Sequence, residues 1–139
     1  MEQTHCVRVF VYRQRREDLE YLMVRREPVL ESFWTPVHGP MLPEENIYQA
    51  AVRNVGETVG LYPPQQIVDL QLATHIQVGD LDEVDWSVGY ACRDAADLHP
   101  TDELAEVCWL GFDASYRNLD LEEDRRSIMR LHFTLRSAG

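Results

Sequence analysis

The chain has 139 residues, with 45% hydrophobic and 27% charged side chains, which is the size of one domain with a single core and the composition of an ordinary globular protein, not of a disordered or fibrous one. Its formal net charge of −11 disfavours nucleic-acid backbone and anionic membrane surfaces as partners. All 13 basic residues are Arg, which excludes a Schiff-base or general-base lysine.

The charge is unevenly spread. Residues 1–26 hold six Arg against four acids, so a phosphate-binding surface is most readily built from this stretch. Cys6, Cys92 and Cys108 are widely spaced, odd in number and set in apolar runs, so they read as buried reduced thiols and not as a disulfide framework or zinc site. A reducing cytoplasm is the expectation. Glu2 and the lack of an apolar core in the opening residues argue against a signal peptide, and no run is long enough for a membrane span.

Residues 7–12 (VRVFVY) alternate as a strand does, RQRRED at 13–18 reads as a turn, and residues 21–24 (YLMV) return as a second strand, which predicts a hairpin. Residues 25–39 contain Pro28, Pro36 and a terminal Gly39, and read as extended or loop chain anchored by Phe33 and Trp34. Pro43 with Glu44 and Glu45 suits a helix start, where open backbone N–H groups favour acids. Over 47–59, Ile47, Tyr48, Ala51, Val52, Val55 and Val59 recur at helical spacing, and Gly60 with Leu61 forms a stop sealed by Pro63 and Pro64.

Residues 67–78 predict a strand, GDLDEVD at 79–85 an acidic hairpin turn, and residues 86–92 another strand. A polar loop at 94–103, a strand at 107–112 and a closing helix at 121–135, with Ile128, Leu131 and Leu135 on one face, complete the chain. Two or three strands, a helix, three strands and a helix predict an α+β, αβα-layered domain with a mixed sheet over residues 1–139.

The segment 39–61, GPMLPEENIYQAAVRNVGETVGL, resembles the box of the Nudix hydrolases, G-x5-E-x7-R-E-U-x-E-E-x-G-U with U aliphatic. Gly39, Glu45, Arg53, Val55, Glu57, Gly60 and Leu61 fall on its fixed positions. Asn54 stands where the box has the Glu after its Arg, and Thr58 where it has the second Glu of the pair. FWTPVHG at 33–39 is similar to the Trp-containing approach to the box in pyrophosphatases of the dihydroneopterin triphosphate and diadenosine polyphosphate type, and ELAEVCWL at 103–110 to the acidic turn and Trp-bearing strand that follow.

The resemblance implies water attack on a phosphoanhydride of a nucleoside diphosphate derivative, with Mg2+ or Mn2+ bridging phosphate oxygens and carboxylates. On that reading Glu57 is the main metal ligand and catalytic carboxylate, with Glu103 or Glu106 as auxiliary ligand. Glu45 and Arg53 orient the loop, and Arg25, Trp34, His38 and Gly39 border the ligand. Positions 54, 57 and 58 share a helix face, where three glutamates would supply −3 and this chain supplies −1. One carboxylate 4 Å from a dication is worth about 8 kcal/mol gross at an effective dielectric of 20, so activity is expected to be weak or redirected unless Glu44, Glu45, Glu103 or Glu106 compensates. The alternative is a non-catalytic module that binds a nucleotide-like ligand or a partner. A homodimer is left open.

Plainer readings stand beside these. Glu57 is also a helix surface acid, Glu103 a solvated turn, His38 a loop histidine, and Arg25 and Arg26 exposed strand ends; the remaining histidines show no metal-ligand spacing.

Overall fold

The computed structural model describes residues 3–26, 33–93 and 96–138. The predicted hairpin is longer than its apolar runs. Strands β1 (Thr4–Arg15) and β2 (Asp18–Arg26) leave only Arg16 and Glu17 for the turn. Strand β3 (Val37–Pro40), helix α1 (Ile47–Val59), strands β4 (Gln66–Val78), β5 (Leu81–Ala91) and β6 (Leu104–Gly111), and helices α2 (Phe112–Asn118) and α3 (Glu122–Ala138) follow. The strands form one sheet in the order β4-β5-β1-β2-β6, with β3 also paired to β1. Because β1 runs parallel to β5 and antiparallel to β2 and β3, the sheet is mixed, as predicted.

Period-2 alternation gives the sheet two apolar faces. Val7, Val9 and Val11 of β1 join Val88 and Tyr90 of β5 against Ala50, Ala51, Val55 and Val59 of α1. Phe10 and Tyr12 face the other way, with Tyr21 and Met23, against Leu119 and α3 residues Ile128 and Leu131. Burying one such Leu or Ile contributes roughly 1.5–3 kcal/mol. The result is an α/β/α layering. Among the described residues no helix is long and apolar enough to cross a membrane.

Some local expectations are corrected. Helix α1 starts after Asn46, whose side chain accepts from the Gln49 N–H while the Gln49 side chain returns to the Asn46 N–H. No acid lies in its first turn, because this reciprocal cap fills the role assigned to Glu44 and Glu45. The acidic run 79–85 is mostly strand. Pairing between β4 and β5 continues down to Val78 opposite Leu81, so only Gly79 and Asp80 turn. Phe112 opens α2 instead of ending a strand, and this seven-residue helix is too short to have shown a periodic signal. The reading of 25–39 is only partly covered. Pro28 and Asp94 lie outside the described residues, while Thr35 bridges Val24 of β2.

Candidate functional site

The link from β3 to α1 is held by three side chains. Gly39 is buried, and a Cβ there would come 1.9 Å from Asn54 Oδ1, so only glycine allows helix and strand to approach this closely. Asn54, 5% exposed, donates its Nδ2 to the carbonyls of Pro40 (3.1 Å) and Ala50 (2.8 Å). Arg53 grips Glu45 through Nε (2.7 Å) and Nη2 (2.9 Å), and Nη2 also reaches the Pro40 carbonyl at 2.7 Å. Glu45 accepts the Leu42 N–H as well, at 2.8 Å. Hydrogen bonds from Arg53 hold the Glu45 carboxyl below its ordinary 4.5, outweighing burial.

Beside this scaffold an open cleft of about 540 Å³ lies between β3, α1 and the loop before β6. Backbone bonds tie that loop to the end of α1. His99 donates to the Val59 carbonyl (2.8 Å) and Thr101 to that of Thr58 (3.0 Å). Gly60, at φ 73°, ends the helix where a Cβ would meet His99 Cβ at 2.8 Å. This docking sets Asp102 and Glu103 across the cleft from Glu57. The Glu57 side chain is 66% exposed and accepts from Arg53 Nη1 at 3.2 Å, while Glu103 is 80% exposed and pairs with Arg26 at 3.2 Å.

Gly39, Arg53, Glu57 and Glu103 thus share one cleft, with Glu45 immediately behind Arg53. Arg25 and Trp34 are not part of it. They stack on each other at 4.8 Å, Trp34 packs on the α3 face of the sheet, and Arg25 is paired with Glu106. Glu44 lines a neighbouring hollow with Leu42 and Gln49. Arg26, one residue on, points the opposite way and borders the cleft. The signal was available in the sequence: counting by twos from buried Val24 puts residue 26 on the α1 face. His38 borders the cleft too, but its ring Nε2 lies 3.4 Å from Glu83 and 3.4 Å from Asp85, on the α3 face.

The cleft's donors bear directly on the divalent cations. On α1 the only carboxylate offered to it is Glu57, already in contact with Arg53. Asn54 turns its NH2 toward carbonyls, and Thr58 brings a neutral hydroxyl. Glu57, Asp102 and Glu103 are opposed by Arg26 and Arg53 in the same space. Hard dications take oxygen ligands, and Mg2+ is commonly held by one or two carboxylates together with waters and phosphate oxygens; Glu57, Asp102 and Glu103 are the carboxylates that line this cleft. Two guanidinium groups share the space, Arg26 engaged by Glu103 and Arg53 by Glu45 and Glu57.

A family model for the NUDIX domain matches residues 3–132. Among solved structures, the chain is similar to an Ap4A hydrolase of C. elegans in a binary complex, with a TM-score of 0.83 at 16% identity over 96% of this chain and 98% of that one. It is also similar to the dihydroneopterin triphosphate pyrophosphohydrolase of E. coli, with a TM-score of 0.72 at 20% identity over 89% and 91%. The NUDIX domain of Shewanella oneidensis NrtR, complexed with ADP ribose, gives 0.74 at 17% identity over 97% and 90%. At these identities the likeness establishes a common fold. No curated protein matches the chain significantly.

Proposed function

Since the chain belongs to the NUDIX domain family, we propose that its cleft binds a nucleoside diphosphate derivative and that cleavage of the phosphoanhydride is weak or redirected. The observation that carries this reading is Asn54. Where the family's box has a Glu, the chain has an amide whose N–H groups are spent on the Pro40 and Ala50 carbonyls. Arg26, whose partner Glu103 is largely exposed, is the group suited to the phosphates, since a guanidinium offers several N–H donors in a planar fork. Glu45 keeps Arg53 aimed across the loop. Glu57 is the carboxylate available for any residual Mg2+- or Mn2+-dependent hydrolysis, with Glu103 opposite.

The reading extends to one domain over residues 1–139 working in a reducing cytoplasm, with Cys6, Cys92 and Cys108 kept as thiols. A second reading, a purely non-catalytic module, is favoured by the same amide and by the likeness to a NUDIX domain complexed with ADP ribose.

A panel of nucleoside triphosphates, sugar nucleotides and dinucleoside polyphosphates, assayed with Mg2+ or Mn2+, tests both. Ligand at 100 times its Kd should stabilise the protein by about 2.7 kcal/mol. Arg26→Ala should weaken binding, turnover should be slow, and Glu57→Gln should abolish what turnover there is. Measurable binding with no turnover selects the module. Rapid hydrolysis by the unaltered chain at ordinary magnesium levels overturns the reading of weak catalysis, and failure of every ligand to bind overturns the cleft.

A further inference from the structure

Next to the cleft, and sharing His38 with its border, the chain gathers a second set of chemistry-bearing side chains on the α3 face of the sheet. Cys6 on β1, His38 on β3, and Glu83 and Asp85 on β5 come from three adjacent strands, and one donor atom from each lies within 4.8 Å of the others. Register produces the meeting. Cys6 is directly opposite Asp85 on one flank and Pro40 on the other, while Arg8 is opposite His38. Alternation then puts Cys6, His38, Glu83 and Asp85 on one side of the sheet.

Charge balance in this cluster is incomplete. Arg8 is already neutralised by Asp124, which it holds through Nε and Nη2 at 2.6 Å each, and it makes one longer contact with Asp85 at 3.3 Å. Glu83 and Asp85 remain, with side chains 16% and 1% exposed. Among the described residues, three buried side-chain polar atoms lack a hydrogen bond, and two of them, His38 Nε2 and Asp85 Oδ1, belong to this cluster. A buried carboxylate, a half-buried one beside it and a ring nitrogen without a hydrogen bond leave the cluster short of a partner that a cation would supply.

We propose that Cys6 Sγ, His38 Nε2 and one carboxylate oxygen each from Glu83 and Asp85 bind a divalent transition-metal ion of the zinc class. A sulfur, a nitrogen and two oxygens are the donors of a tetrahedral zinc-type site, whereas magnesium and calcium call for oxygen alone. Ligand bonds of 2.0–2.3 Å set donor–donor separations of roughly 3.3–3.8 Å. The two histidine–carboxylate separations, both 3.4 Å, already have this value. Cys6 ligates as the thiolate, so ion binding releases its thiol proton to solvent. The ion would pin β1, β3 and β5 together and fix the residue next to Gly39, supporting the cleft floor from behind. This inference does not depend on the reading of the cleft.

The test is a titration of chelator-treated full-length protein with Zn2+ and, as a spectroscopic substitute, Co2+. One equivalent of Co2+ should give a thiolate-to-cobalt charge-transfer band and tetrahedral visible bands that Zn2+ erases. Cys6→Ser should lose the charge-transfer band, whereas Cys108→Ser and Glu57→Gln should keep it. Glu83→Gln should weaken Zn2+ binding by more than about tenfold, since even loss of an outer-shell partner costs that much. If Cys6→Ser does not fold, the Zn2+-induced rise in the Tm of the parent and its loss in Glu83→Gln decide the matter. No band and no Tm shift in the parent, a band that survives Cys6→Ser, or unweakened binding by Glu83→Gln overturns the proposal; nucleotide binding is measured separately and is untouched by any of these results.

Discussion

At position 54 the chemistry of the site turns on one functional group. A carboxylate would accept bonds and attract a cation; the amide donates, and it donates to two backbone carbonyls that a carboxylate would repel. Asn54 therefore joins helix to loop, and Gly39 is what makes room for it. Replacing Asn54 by Ala removes two side-chain hydrogen bonds, each worth roughly 0.5–1.5 kcal/mol, and should cost about 1–3 kcal/mol in urea denaturation even though Arg53 still bonds the Pro40 carbonyl. The box spacing identified Asn54 as the departure from the pattern. What the amide does instead was not legible, because Pro40 and Asn54 meet only when β3 packs on α1.

Helix α1 is the element whose sequence was most explicit. Its glycine stop gave the C-terminal end, and Ala51, Val55 and Val59 pack where the periodicity puts them, whereas the Asn46 cap at its start was not read and Tyr48 is exposed. The clamp between this helix and the preceding loop carries a pH signature. Glu45 has a folded-state pKa below 4.5 because Arg53 binds its charged form. Between that lowered value and 4.5 the unfolded chain binds more protons than the folded one, so the stabilisation is complete above pH 4.5 and is lost as pH falls through the folded-state value. Glu45→Gln should accordingly be less stable than the parent at pH 7, by about 1–2 kcal/mol. The gap should close in acid, as denaturation midpoints measured across pH 3–7 would show.

On the scale of the whole molecule, the two outer layers are fastened differently. Helix α1 packs on the sheet through small and β-branched residues. Helix α3 adds polar fastening to its apolar contacts: Arg8 reaches from the centre of the sheet to Asp124, and Ser87 bonds Ser127 at 2.8 Å. Both Arg8 and Asp124 are buried. Arg8→Ala should cost about 3–5 kcal/mol by leaving buried carboxylates unneutralised, and pairing it with Asp124→Leu should recover part of the loss. Equilibrium unfolding of the single and double variants checks this; a double variant less stable than Arg8→Ala alone would contradict it.

Composition, alternation and spacing by themselves determined the layered α+β architecture, helix α1 and the departure of Asn54 and Thr58 from the box, because each is written in neighbours within a few residues along the chain. Tertiary structure alone decided how the loop before β6 brings Glu103 opposite Glu57, and the meeting of Cys6, His38, Glu83 and Asp85. Apart from Glu83 and Asp85, two residues apart on β5, these residues share no spacing, since they come from three strands whose order in the sheet differs from their order in the chain. Hydrogen-bond register across a folded sheet, a property of partners far apart in sequence, is what put them side by side.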